Sequence, residues 1–204
     1  MKMSFSALDI AHGMIADHVK PGDICIDATA GRGRDTVFLC SLAGESGRVT
    51  AFDIQPDAVD STNALLVEQG YSSIGRAVLD SHSNIDRYEQ SGTVSCIVYN
   101  FGWLPGGDHN VFTLPDSSIE SLNKALDLLM PGGMIAMCIY YGKQNGFDER
   151  DRLMEFLERL DHHKYSSYVG RFVNRPNCPP ITAFILRINR GDNHGTDHLS
   201  LCKV

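Results

Sequence analysis

The chain has 204 residues, 43% of them hydrophobic and 21% charged, with a formal net charge of −7. That balance excludes a disordered or fibrous chain, and no apolar run approaches the ~20 residues of a membrane span. The negative charge argues against a generally cationic nucleic-acid binder.

Ser6 to Val19 reads as an amphipathic helix, with Leu8, Ala11, Ile15 and Val19 on one face. The stretch from Met1 to Asp17 alternates polar and apolar residues and carries acids, so it is not a signal peptide, and a cytoplasmic protein without a membrane partner is expected. Pro21-Gly22-Asp23 is a turn, and Ile24 to Ala28 a short strand broken by Gly31-Arg32-Gly33. Asp35 to Ala43 follows as a helix, Arg48 to Ile54 as a strand, and Pro56 to Gln69 as a helix with proline at its start. Ser73 to Leu79 is a weaker strand, Ile85 to Gln90 a short helix, and Val94 to Phe101 a strong buried strand. Ser117 to Met130 is a helix stopped by Pro131-Gly132-Gly133. Met134 to Tyr141 is a strand, Asp148 to Leu160 a helix, and Tyr165 to Asn174 and Ile181 to Asn189 are the last strands.

Strands alternating with helices predict a doubly wound, mostly parallel α/β sheet of seven strands. Only Arg175 to Pro180 separates the last two strands, too little for a helical crossover, so they pair antiparallel. That ending resembles the class I S-adenosylmethionine-dependent methyltransferases. Residues 1–190 form one domain in this reading, and 191–204 a loose tail.

The six cysteines form no C-x-x-C pair and read as small buried hydrophobes rather than zinc ligands, and the histidines show no ligand spacing, so no metal is expected. Charge is uneven: residues 1–142 hold 8 basic and 17 acidic side chains, residues 143–190 hold 9 and 6. Either the later stretch offers a basic face, or Arg150, Arg152 and Arg159 pair with acids along a solvated helix.

Ligands of such sheets bind outside the carboxyl ends of the strands. At the first end, Gly31 and Gly33 allow a sharp turn and close backbone approach, and Asp27 ahead of them suits an ammonium group. A phosphate-loop lysine is missing, and Thr36 stands where a dinucleotide motif has its third glycine. A plain tight turn is the alternative. Asp53 closes the second strand twenty residues after Gly33, placed to accept ribose hydroxyls, with Gln55 beside it. The alternative for Asp53 is a helix N-cap. Asp80 and Ser81 at the third end suit an adenine edge, while His82 is either part of that set or a cap. At the fourth end, Asn100 offers a carbonyl to a substrate amine, and Trp103 offers a stacking face or a core anchor. Lys143, Arg171 and Arg175, from the last loops, suit nucleic-acid phosphates.

The pattern as a whole resembles a family of bacterial methylases known as rRNA methylases, members of which act as the tRNA 5-aminomethyl-2-thiouridine methyltransferase. The matching stretches include Ala11-His12, Asp27-Ala28-Thr29-Ala30-Gly31, Asp35-Thr36, Phe52-Asp53-Ile54-Gln55 and Asp80-Ser81-His82. Asn100-Phe101-Gly102, Leu104-Pro105-Gly106-Gly107-Asp108 and Asn174 with Pro179-Pro180 continue the match. The resemblance implies S-adenosylmethionine as cofactor, with Thr29, Asp35, Thr36, Phe101 and Gly102 joining its site. It implies the anticodon region of tRNA as the partner and the aminomethyl nitrogen of the wobble base as methyl acceptor. A homodimer is kept open. The family usually has Asn at Arg32, Tyr at Trp103, His at Lys143 and Gln at Arg175, so the departures fall on the substrate side. For the amine's proton, Asp108 belongs to the family pattern, and neighbouring His109 has the better-matched ordinary pKa. The alternatives are an rRNA or small-molecule N- or O-methyltransferase, and a non-catalytic nucleotide-binding module.

Overall fold

The computed structural model describes residues 5–102, 113–142 and 146–189. The proposed tail, Trp103, Asp108, His109 and Lys143 lie outside these residues.

Seven strands form one sheet in the order β3-β2-β1-β4-β5-β7-β6. They are β1 (Ile24–Asp27), β2 (Arg48–Asp53), β3 (Gly75–Leu79), β4 (Val94–Phe101), β5 (Leu129–Ile139), β6 (Tyr165–Gly170) and β7 (Ile181–Arg187). β1 to β5 are mutually parallel, while β7 pairs antiparallel with both β5 and β6. β6 therefore runs in the direction of β5, and the β6–β7 connection sits at the same edge as the other carboxyl ends.

Alternating strand residues feed two cores. On one face Ile97, Tyr99 and Ile135 pack with Leu122, Leu126 and Leu153 of α4 (Pro115–Leu128) and α5 (Gly146–Glu158). On the other, Cys96, Val98 and Ala136 meet Ala11, Ile15, Leu39 and Leu66 of α1 (Ala7–His18), α2 (Arg34–Ala43) and α3 (Pro56–Glu68). All residues of β4 but Asn100 are buried, as a central strand covered on both faces requires. α1 rests on β5 and β7, and Ser6 and Asp9 close a capping box at its start.

Three local expectations change. Pro131-Gly132-Gly133 is not a turn between α4 and a later strand; it lies inside β5, which starts at Leu129. Pairing with β4 shifts register between Val94 and Cys96, and that irregularity accommodates a proline with no N–H to donate. Gly133 is needed there: a Cβ would stand 2.9 Å from the carbonyl oxygens of Met130 and Val94. The short helix is a 3-10 turn over His82–Arg87, earlier than the periodicity places it. β6 ends at Gly170, so Arg171 to Pro180 all belong to the connection.

Cys25, Cys40, Cys96 and Cys138 are buried free thiols, and burial raises their pKa values. Arg150, Arg152 and Arg159 pair with Asp151, Asp116 and Glu155, so these three arginines follow the solvated-helix alternative rather than forming a free basic face. Among the described residues, no helix is long and apolar enough to cross a membrane.

Candidate active site

A cavity of about 620 Å³ opens at the carboxyl edge of β1, β2, β3 and β4. Its floor begins with the turn after β1, lashed to both neighbouring strands: Ala28 N–H donates to the Val98 carbonyl and Ala30 N–H to the Phe52 carbonyl. Gly33 caps α2 in a left-handed conformation (φ 77°), and a Cβ there would meet Thr62 at 3.0 Å. Close packing of α2 on α3 thus requires glycine at this position.

Asp53 binds this turn. Its Oδ2 accepts the Gly31 N–H at 3.0 Å and its Oδ1 accepts the Gln55 N–H at 2.9 Å. Each oxygen keeps acceptor capacity beyond these bonds. Gly31, Asp53 and Gln55 all line the cavity.

The third strand end is equally fixed. Asp80 accepts bonds from Asn84 Nδ2 (2.7 Å), the Ser81 N–H (2.7 Å) and Tyr88 Oη (2.9 Å). These donors, Asn84 first, hold its carboxyl below the ordinary range. His82 Nε2 is buried with no hydrogen-bond partner among the described residues. Burial pushes the His82 pKa down to about 4, so the ring is neutral at physiological pH.

At the end of β4, Asn100 donates its backbone N–H to Thr29 Oγ1 (2.7 Å) and its side-chain Nδ2–H to Asp35 Oδ2 (2.6 Å). With one amide N–H directed at Asp35, Asn100 keeps its carbonyl oxygen and its second N–H for other partners. Gly102 follows, with φ 132° and Tyr140 so near that a Cβ would lie 3.0 Å from its Cβ.

Thr29, Gly31, Asp35, Asp53, Gln55, Asp80, Ser81, His82, Asn100 and Gly102 all line this one cavity. Asp27, Gly33, Thr36 and Phe101 do not. Asp27 is fully buried and accepts bonds from Thr36 Oγ1 (2.6 Å) and the Thr29 N–H (3.2 Å), so its carboxylate is not presented to an ammonium group. Burial, then the nearby Asp35 carboxylate, raises its pKa to about 7. Phe101 is buried and stacks on Tyr99 at 4.9 Å. These four shape the walls from behind.

Arg171 and Arg175 are exposed on the β6–β7 connection and outside the cavity lining. The Arg175 guanidinium lies over Phe172, 3.7 Å from the ring centroid, and donates to the Phe5 carbonyl at 2.6 Å. Two arginines stand closer. Arg32 and Arg34 are exposed and line the cavity, with no acidic partner among the described residues. Their position was legible, since the turn after β1 is sequence-local. Leu8, Thr113, Ser117 and Tyr140 also line it, and no spacing in the sequence announces them. One exposed trio, Asp161, His162 and His163, brings ligating atoms within 4.8 Å of one another. It occupies the turn before β6, at the edge opposite the cavity.

A class I sheet with a glycine turn, an acid closing β2 and an asparagine closing β4 around one cavity defines an S-adenosylmethionine-dependent methyltransferase. The family described as "Putative rRNA methylase" matches residues 49–186, and the chain belongs to it. It is 31% identical over 193 residues to the "tRNA (mnm(5)s(2)U34)-methyltransferase, chloroplastic" of Arabidopsis thaliana, covering 90% of this chain and 70% of the relative. A "putative rRNA-methylase" from Clostridium thermocellum superposes with a TM-score of 0.89 at 40% identity, covering 91% of this chain and all of the other. A "putative methyltransferase" from Streptococcus mutans, solved with SAH, gives 0.82 at 30% identity, with 91% and 100% covered.

Proposed function

We propose that this chain methylates the aminomethyl nitrogen of 5-aminomethyl-2-thiouridine at the wobble position of tRNA, in the cytoplasm. The observation that carries the reading is Asn100, which lines the cavity with its amide nitrogen turned to Asp35, so that its carbonyl oxygen points to the other side as an acceptor. A carbonyl acceptor orients an amine that has hydrogen to donate, and so directs its lone pair. The A. thaliana relative carries a wobble-uridine methyltransferase name, which supports the substrate.

The residues fit S-adenosylmethionine. Asp53 and Gln55 suit the ribose hydroxyls, and Asp80, Ser81 and His82 suit the adenine. Thr29, Gly31 and Asp35 suit the methionine end, while Asp27, Gly33, Thr36 and Phe101 hold those groups in place. When bound, the cofactor supplies a sulfonium methyl group for in-line displacement. The protein's task is alignment of the amine at roughly 3–3.5 Å from that carbon. Asp108 or His109 takes the amine's proton, and Trp103, three residues past Asn100, stacks on the base. Arg32 and Arg34 meet RNA phosphates at the cavity, Arg171 and Arg175 meet them farther out, and Lys143 is a further phosphate partner.

The test is transfer of tritium from labelled cofactor into separated tRNA, rRNA and metabolite pools from cells lacking the activity. Label confined to tRNA, at the wobble nucleoside after digestion, supports the reading; label in rRNA or metabolites alone overturns it.

A further inference from the structure

His12 sits on α1, outside the cavity lining. Its Nε2 nevertheless lies 2.7 Å from Asp35 Oδ1. The other oxygen of that carboxylate, Oδ2, accepts the Asn100 Nδ2–H at 2.6 Å. Asp35 is therefore held on both oxygens, with α1 on one side and β4 on the other.

The holder is itself fixed. The His12 ring stacks on Phe38 of α2, with centroids 4.2 Å apart and planes 26° from parallel. Neighbouring Ala11 and Ile15 anchor α1 in the core. A carboxylate has no hydrogen to donate, so Nε2 is the protonated nitrogen in this contact.

An asparagine amide can turn over about its terminal torsion and exchange donor for acceptor. With Asp35 immobile, one orientation satisfies Asn100: nitrogen towards Asp35, oxygen towards the cavity. Without His12 the Asp35 carboxylate could swing away from Asn100, and the amide, no longer facing an acceptor, could then turn its N–H towards an incoming amine.

We propose that His12 is a positioning residue for methyl transfer, fixing the Asn100 carboxamide through Asp35 in the orientation that accepts an amine N–H. The inference rests on the reading of Asn100 as the amine's partner. It makes acceptor orientation a property of three elements, α1, α2 and β4, rather than of the β4 loop alone. It also assigns a role to the Ala11-His12 stretch, which the cofactor site leaves unused.

The test uses the full chain, labelled cofactor and tRNA bearing unmethylated 5-aminomethyl-2-thiouridine. At saturating cofactor, His12→Ala should lower kcat about ten- to a hundredfold, with the tRNA KM held within about threefold. His12→Gln, whose amide nitrogen can stand in for Nε2, should recover most of the loss. In an Asn100→Ala background, His12→Ala should subtract less than about threefold further, because both changes remove one interaction. Should the alanine variant melt at the assay temperature, His12→Leu keeps the packing on Phe38 and replaces it. At saturating cofactor, unchanged kcat, failure of the glutamine rescue, or additive losses in the double variant would each overturn the proposal. The two failures are distinguishable. Wild-type turnover in Asn100→Ala alone defeats the reading of Asn100 and the inference with it. A slow Asn100→Ala beside a fast His12→Ala defeats only the inference.

Discussion

Thr113 and Gly102 hold each other by a reciprocal pair of hydrogen bonds. The Gly102 N–H donates to Thr113 Oγ1 at 2.9 Å, and the Thr113 N–H donates to the Gly102 carbonyl at 3.0 Å. The Thr113 hydroxyl then donates to Glu149 Oε2 at 2.7 Å, and Ser118 donates to Glu149 Oε1 at 2.7 Å. Glu149 is 3% exposed, and burial raises its pKa against the opposing pull of these hydroxyls. Thr113→Val keeps the shape but strands Gly102 N–H and one Glu149 oxygen, at a cost of roughly 2–5 kcal/mol. Urea unfolding reads this directly. Thr113→Ser, retaining the hydroxyl, should lie within about 1 kcal/mol of wild type; equal stability of all three proteins would remove the bond from the account.

Asp53 ties the turn after β1 to the start of α3 and faces the cavity. Asp53→Ala should weaken S-adenosylmethionine binding by about ten- to a hundredfold, corresponding to loss of charge-assisted bonds of ~1.5–3 kcal/mol. Titration calorimetry showing unchanged affinity would place the ribose elsewhere.

His82 gives stability a pH dependence of definite sign. Its ordinary pKa is about 6.5 and its folded value about 4, so the unfolded chain binds more protons between these limits. The contribution is complete above pH 6.5 and is lost as pH falls towards 4, by roughly 3 kcal/mol in all. The difference in unfolding free energy between wild type and His82→Gln should therefore shrink across that window. A pH-independent difference would contradict a buried neutral ring.

Asp27 acts in the opposite direction. Its folded pKa, about 7, lies above its ordinary 3.8, so the folded chain binds more protons between them. Wild type should lose stability relative to Asp27→Asn as pH rises from about 4 to 7, and no further above that. Melting temperatures of the two proteins at matched pH check the direction.

RNA contact should follow distance from the cavity. Arg32→Ala and Arg34→Ala should each lower the slope of log affinity against log salt by about one unit. Arg175→Ala should do less, because that guanidinium is engaged with Phe172 and the Phe5 carbonyl. A larger change at Arg175 than at Arg32 or Arg34 would put the RNA on the far loop.

The fold was legible because its signals are local. β4 is an apolar run from Val94 to Phe101, and the Arg175–Pro180 spacing dictates the antiparallel pairing of β6 with β7. Strand ends nominate their own loops, and Gly31, Asp53, Asp80 and Asn100 all stand at or beside such ends. What escaped depends on partners distant in sequence. His12 meets Asp35 across 23 residues, and Thr113 meets Glu149 across 36. Asp27 looked like a ligand because its type and place suit one; only the Thr36 and Thr29 bonds reveal an inward carboxylate. The place of Pro131 inside β5 is hidden for a related reason, since the pairing irregularity near Val94 has no sequence mark.

The seat of α1 has a consequence for the order in which the enzyme becomes complete during synthesis. Leu8 lines the cavity and His12 reaches Asp35, yet the helix carrying them lies on β5 and β7. The cofactor turns all lie within the first 102 residues and leave the ribosome early. The platform for the first helix is finished only when Ile181–Arg187 has emerged and paired with β5. A nascent chain holding every ligand-facing loop would therefore still lack one wall, with the edge of β5 unpaired. Competence for methyl transfer arrives with the last strand, so a chain interrupted before β7 yields an open sheet rather than a slow enzyme.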